Sequence, residues 1–201
     1  QTGGPNQRGH NIGSVLVDPQ GNVVFWARNC NQRSKDGTQH GEVRLMLGYL
    51  EKVHSYSLSG YTVYTSLEPC AQCSGMMVLQ SIARTVYGQT DPSYGKAIER
   101  LKFDSTKCGG YKPYPRPVIS DVSQTDICQM LDAQYAQYKG SITDYLLSDQ
   151  AKAIYVAALR ELRGFQVKYP DNVATLKQSL DFLDNQVKND YVIVIDDDGH
   201  D

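Results

Sequence analysis

After eleven mostly polar residues, two apolar, β-branched runs, Ile12–Asp18 and Val23–Arg28, flank Pro19-Gln20-Gly21-Asn22. They predict a hairpin with a loop of about four residues. A polar stretch, Asn29–Gln39, follows and ends at His40. From Glu42 onward Val43, Met46, Leu47, Leu50 and Val53 recur at helical spacing, so His40 and Glu42 open a helix. Tyr61–Leu67 alternates as a strand. Pro69 is expected to start a second helix, where a missing N–H costs nothing, with Cys70 and Cys73 in its first turn. Thr85–Gly88 reads as another short strand and Tyr94–Phe103 as a helix. Residues 104–116 read as a loop, with Gly109-Gly110 and Pro113 and Pro115, before a fifth strand at Val118–Val122. Strands alternating with helices predict an α/β layered domain rather than a bundle.

Beyond Ser123 the pattern changes. Ile127, Leu131, Tyr135 and Tyr138 form one helical stripe, and Ile154, Ala158, Leu162 and Phe165 a second that ends near Gly164. Val173, Leu176, Leu180, Leu183 and Val187 step three and four in turn, a short heptad seam. Tyr191–Ile195 reads as a strand ahead of Asp196-Asp197-Asp198. No repeat and no low-complexity linker separates the two parts. The chain is therefore expected to divide into an α/β domain over 1–123 and a C-terminal helical extension over 124–201 packed on it.

Composition sharpens this reading. The chain has 201 residues, 40% of them apolar, which suffices for a real core. No run approaches the ~18 apolar residues of a membrane span and no signal peptide opens the chain, so no membrane partner is expected. Gln1 stands where a Met would begin a translated chain, as expected of a trimmed or processed product. Five cysteines do not read as a disulfide framework, and a reducing cytoplasm is the expected setting. The formal net charge of −2 hides a split. Residues 1–120 hold 13 Lys/Arg against 8 Asp/Glu, and residues 121–201 hold 7 against 14. The first part is basic and the second acidic.

Two clusters carry the chemistry: His40-Gly41-Glu42 and Pro69-Cys70-Ala71-Gln72-Cys73. One imidazole and two thiolates make up the protein ligands of a catalytic zinc whose fourth position stays open. A structural zinc site would want a fourth Cys or His, and none stands at finger-like spacing. A thioredoxin-type pair would leave the His-x-Glu unexplained. H-x-E followed by P-C-x-x-C is the signature of zinc nucleobase deaminases, with the Glu as acid and base rather than ligand.

Residues 12–95 resemble the cytidine deaminase superfamily, on its branch of tRNA-adenosine, guanine and deoxycytidylate deaminases. Thr65-Ser66-Leu67-Glu68-Pro69-Cys70-Ala71-Gln72-Cys73-Ser74-Gly75-Met76-Met77 is similar to the tRNA-adenosine deaminase segment nearly throughout. Ile12-Gly13-Ser14-Val15-Leu16-Val17 resembles its first strand, and Arg84-Thr85-Val86-Tyr87-Gly88 with Asp91 its fourth strand and substrate loop. The resemblance implies a three-layer α/β/α fold with a mixed five-stranded sheet, and Zn2+ held by His40, Cys70 and Cys73. Glu42 would take a proton from the attacking water and deliver protons to the ring nitrogen and the departing amine. Asn29 matches the family's substrate-contacting Asn in position, and Gly41 and Asp91 join it as substrate-binding candidates.

Three departures from the family stand out. Gly41 replaces the usual Ala, which is expected to widen the pocket slightly. No helix precedes Ile12. The helical region after Ser123 exceeds what the tRNA enzymes carry, and one of its helices is expected to cover the sheet face left bare. The implied activity is hydrolytic deamination of an adenine- or cytosine-type base in a nucleic acid, RNA or single-stranded DNA. Lys96, Arg100, Lys102, Lys107, Lys112 and Arg116, interleaved with Phe103, Tyr111 and Tyr114, suit phosphates and unstacked bases. Deamination of a free base, nucleoside or nucleotide is an alternative, as is a catalytically idle zinc protein whose helices bind a partner. A homodimer is allowed for.

Overall fold

The hairpin forms as expected: β1 (Gly13–Val17) pairs antiparallel with β2 (Val23–Arg28). Asp18 closes the turn by accepting the backbone N–H of Gln20 and Asn22 on Oδ1. This computed structural model describes residues 8–188, so the expected strand Tyr191–Ile195 lies outside the described residues. β3 (Thr62–Leu67), β4 (Arg84–Gln89) and β5 (Ile119–Val122) complete one mixed sheet in the order β2-β1-β3-β4-β5. β1 runs antiparallel to both neighbours, whereas β3, β4 and β5 run parallel. The parallel pairs need crossovers, and helices supply them.

α1 (Asn31–Ser34) is a single turn inside the stretch expected to be loop. α2 (Gly41–Val53), α3 (Ala71–Leu79) and α4 (Ala97–Leu101) follow β2, β3 and β4 respectively. α2 and α3 bury their apolar sides on one sheet face, where Leu16, Ala27 and Val63 meet Leu45, Met46, Met77, Val78 and Ile98. α4 is shorter than the expected Tyr94–Phe103 helix. Its N-cap residue, Lys96, sits in the left-handed region at φ 57, and a helix cannot continue back through that backbone.

The C-terminal region holds α5 (Asp126–Tyr135), α6 (Ile142–Leu147), α7 (Asp149–Arg163) and α8 (Asn172–Lys188). Leu131, Ile142, Tyr145, Leu146, Ala151 and Ile154 form a second core that takes in Ile12 and Leu67 from the sheet domain. Ile127, Tyr135 and Tyr138 of the first stripe pack against it, although Tyr138 lies past the end of α5. Phe165 of the second stripe lies beyond α7 and is exposed. α8 reaches the edge strand. Asn172 donates to the Gly21 carbonyl and accepts the Val23 N–H, and Phe182 packs on Trp26 with the Arg28 guanidinium over its ring. The opposite sheet face is covered only in part, and Tyr64 of the central strand remains 46% exposed. Among the described residues no helix is long and apolar enough to cross a membrane.

Candidate metal centre and active site

Two helix N-termini converge on one point. His40 is the N-cap of α2, with extended backbone, and its carbonyl accepts the Arg44 N–H at 3.0 Å. Cys70 is the N-cap of α3, and its carbonyl accepts the Ser74 N–H at 2.9 Å. Pro69 therefore lies outside the helix rather than starting it, and only Cys73 falls in the first turn. The change matters physically, because a capping residue swings its side chain free of the helix barrel. Helix N-termini carry partial positive charge, which favours thiolates and carboxylates placed there.

His40 Nδ1 lies 3.6 Å from Cys70 Sγ and 3.5 Å from Cys73 Sγ, and the two sulfurs are 3.7 Å apart. Zn–S and Zn–N bonds of about 2.3 and 2.0–2.1 Å at tetrahedral angles place ligand atoms about 3.6–3.8 Å apart. The donor set and its spacing thus fit a zinc ion. The sulfur separation excludes a disulfide, whose S–S bond is about 2.05 Å. Among the described residues this is the one group of His, Cys, Asp and Glu donors close enough to hold a metal.

The electrostatics are those of a proton-sharing thiol pair. The hydrogen bond shared with Cys73 pulls Cys70 down to about 4, with the His40 hydrogen bond and charge adding to the effect. Cys73 is pushed up by the same bond and by burial. His40 is raised chiefly by its hydrogen bond to Cys70. A metal cation replaces these shared protons.

Glu42 is fully buried beside the cluster, with Oε2 3.5 Å from Cys73 Sγ. Burial pushes its carboxyl up, against the lowering effects of the Thr65 hydrogen bond and the nearby His40. Thr65 Oγ1 donates to Glu42 Oε1 at 2.9 Å, and Ser14 Oγ donates to Thr65 Oγ1 at 3.2 Å. This two-hydroxyl relay crosses from β1 to β3 and fixes the carboxylate. Sequence reasoning missed Ser14 and Thr65 as site residues. The available signal was two hydroxyl side chains at inward positions of strands whose other inward positions are apolar.

The substrate-binding candidates divide. Asn29 is fully buried at the end of β2, and its Oδ1 accepts the Gly41 N–H at 2.6 Å. That bond fixes which way the amide points, and Nδ2 is buried with no hydrogen-bond partner among the described residues. A Cβ on Gly41 would meet Ser14 Oγ, Asn29 Oδ1 and the Ile12 carbonyl at 3.3–3.4 Å. The room left by the missing methyl is therefore against β1 and Asn29, behind the first turn of α2. Asp91 is buried too, and its Oδ1 accepts the N–H of Ser93 and Tyr94, so it shapes its own loop.

Residues 1–89 match the family described as the cytidine and deoxycytidylate deaminase zinc-binding region. That segment carries His40, Cys70 and Cys73, and its likeness is to the zinc-binding region of this family. The chain is 32% identical over 92 residues to a tRNA-specific adenosine deaminase of Haemophilus influenzae, covering 46% of this chain and 53% of that protein. It is 37% identical over 93 residues to a probable cytosine deaminase of Schizosaccharomyces pombe, covering 45% and 54%. A solved structure from studies of A-to-I editing by tRNA:A34 deaminases at the wobble position of transfer RNA is 25% identical. It covers 56% of this chain and 82% of that one, with a TM-score of 0.46. The chain spans about half the length of these two curated relatives. The match to the deaminase zinc-binding region takes in β1 through β4 and the ligand set, and leaves α5 to α8 outside.

Proposed function

We propose that the protein is a zinc-dependent hydrolytic deaminase that converts an amino-nucleobase, of adenine or cytosine type, to its keto form within a nucleic acid. The observation that carries the reading is the buried Glu42 carboxylate beside, and not within, the His40, Cys70 and Cys73 donor set. A structural zinc site has no use for a buried carboxylate held ready by its own hydroxyl relay.

Zinc at His40, Cys70 and Cys73 supplies, when bound, a water acidified toward neutrality. Glu42 takes one proton from the attacking water and passes it to the ring nitrogen, without which the amidine carbon is a poor electrophile. It then takes the remaining proton of the added hydroxyl, as the keto group forms, and hands it to the departing amine. Water enters and ammonia leaves. Burial favours the protonated form of this carboxyl, which suits a group that must return the protons it accepts. Asn29 Nδ2 is the donor left to hold the substrate, and Asp91 is the second candidate for contacting it.

The nucleic-acid reading rests on the segment after β4. Lys96, Arg100, Lys102, Lys107, Lys112 and Arg116 are all exposed, as are Tyr94, Phe103 and Tyr111, the last at 86%. The segment is ordered rather than loose. Ser105 and Tyr111 exchange backbone and hydroxyl hydrogen bonds across the loop, and Arg116 reaches the Leu79 carbonyl at the far end of α3. Exposed cations and aromatic rings therefore follow one another along this segment, whose helix α4 packs against α3 and whose Arg116 meets the end of α3. Phosphates and unstacked bases need such a track, and a free base does not. The S. pombe relative's name supports the runner-up, a free base. The five free cysteines suit a reducing compartment such as the cytoplasm.

Ammonia release across a panel of free bases, nucleosides, nucleotides, single-stranded DNA and structured RNAs tests the substrate class. A nucleic acid is expected to lead the panel. The double substitution Arg100→Glu with Lys102→Glu should weaken its binding at every sequence tested and lower the salt slope by about two phosphate contacts. Unchanged affinity and salt slope, with free bases as the better substrates, would overturn the nucleic-acid reading.

A further inference from the structure

Glu68 stands between β3 and the thiolate turn, directly before Pro69 and Cys70, and is 5% exposed. Its backbone N–H continues the β3–β4 ladder by donating to the Gln89 carbonyl at 2.8 Å. Its carboxylate reaches across to the loop after β4. Oε2 accepts the Asp91 N–H at 3.0 Å and Oε1 accepts the Lys96 N–H at 2.8 Å. One buried carboxylate thus holds both ends of the segment 91–96. Within it, Asp91 Oδ1 caps Ser93 and Tyr94, and the Asp91 carbonyl accepts the Gly95 N–H.

Two backbone features show that the chain is shaped around this carboxylate. A Cβ on Gly95 would lie 2.2 Å from Glu68 Oε2 and 2.4 Å from the Asp91 carbonyl, so only glycine allows the approach. Lys96 occupies the left-handed region at φ 57, where a non-glycine residue is strained and needs a compensating contact. Its N–H finds that contact in Glu68. The Glu68 carboxylate spends its hydrogen bonds on the Asp91 and Lys96 amides, so its effect on the thiolate turn passes through the segments it joins.

We propose that Glu68 is a positioning residue that couples the Cys70–Cys73 turn to loop 91–96, so that the segment departing from that loop is held in register with the metal. The inference rests on zinc at the thiolate turn and not on the choice of substrate. Coupling of this kind is reciprocal: whatever orders the turn must order the loop, and loosening the loop must loosen the turn. A glutamine at 68 keeps the volume but presents an NH2 group to one of the two backbone donors, leaving that N–H without an acceptor.

The test is zinc release from the loaded protein to a chelator, read beside amide hydrogen exchange, for the wild-type chain, Glu68→Gln and Gly95→Ala. In both variants the Asp91 and Lys96 amides should exchange faster, while Val86 in β4 keeps its protection. Zinc should leave about tenfold faster, the scale on which groups behind a ligand act on metal affinity. Gly95→Ala keeps the carboxylate and forces the loop off it, so it reads the same coupling if Glu68→Gln fails to fold. Faster exchange in the loop with zinc release at the wild-type rate would overturn the proposal and leave Glu68 as a loop anchor. Because neither readout uses turnover, the result stands whichever base the enzyme prefers.

Discussion

Burial and neighbouring groups together set the protonation of single residues in this protein, and stability follows from it. Tyr49 is the clearest case away from the metal. Burial, then its hydrogen bond to Tyr61, raises its phenol from 10.0 to about 12. The ring also packs on Phe25 and Tyr61, 5.7 Å between centroids in each case. A folded-state value above the unfolded one means the native state holds the proton more tightly. The resulting stability is fully present below pH 10 and is lost as pH rises toward 12. Tyr49→Phe keeps the rings in contact and removes the titration. Urea unfolding from pH 9 to pH 12 should show the wild type losing more stability than Tyr49→Phe, and parallel curves would refute the assignment. At the same scale, the ligands and Glu42 were legible in sequence because their chemistry is rare and their spacing is fixed by two helix starts. Ser14, Thr65 and Glu68 were not. Hydroxyls in a strand and a glutamate before a proline are ordinary until the fold brings a partner 23 or 28 residues away.

Among elements, those with a long apolar period were readable and those set by caps were not. α2 and the strands follow their patterns closely. α6 was missed because six residues hold too short a stripe to register. Its signature was in the capping chemistry instead: Ser141 accepts the Asp144 N–H and donates to the Asp144 carboxylate, a Ser-x-x-Asp box. Ser148 then ends α6 and caps α7. This short helix matters beyond its length. Leu146 is 2% exposed in the core that contains Ile12 and Leu67, and its carbonyl accepts the Asn11 side-chain amide. Ile12 in turn accepts the Asn29 N–H, so α6 supports the segment above the candidate substrate amide. Leu146→Ala should cost about 2–5 kcal/mol in denaturant unfolding, as for other buried leucines. A loss below about 1 kcal/mol would mean that α6 is not part of the cooperative core.

Over the whole molecule, charge and layering follow the same division. The basic first 120 residues carry the metal site and the cationic track, and the acidic remainder supplies the second core and the helix against β2. The five-stranded mixed sheet was legible from the order of strands and helices together with the family resemblance. How α5 to α8 wrap it was not, because amphipathic stripes state that a face is buried without stating against what. The heptad seam illustrates this: Leu176, Leu180 and Leu183 are half-buried and Val173 is exposed, so the pattern alone overstates the burial. Catalysis by Glu42 beside a zinc at His40, Cys70 and Cys73 is the claim on which the rest depends. The most direct test is ammonia release and zinc content measured together for the wild type and Glu42→Gln, on the best substrate of the panel. One zinc per chain is expected in both, with turnover falling by ~10²-fold or more in the variant, the scale of general acid–base catalysis. Equal turnover in the two zinc-loaded proteins, or ammonia release from neither, would contradict the account.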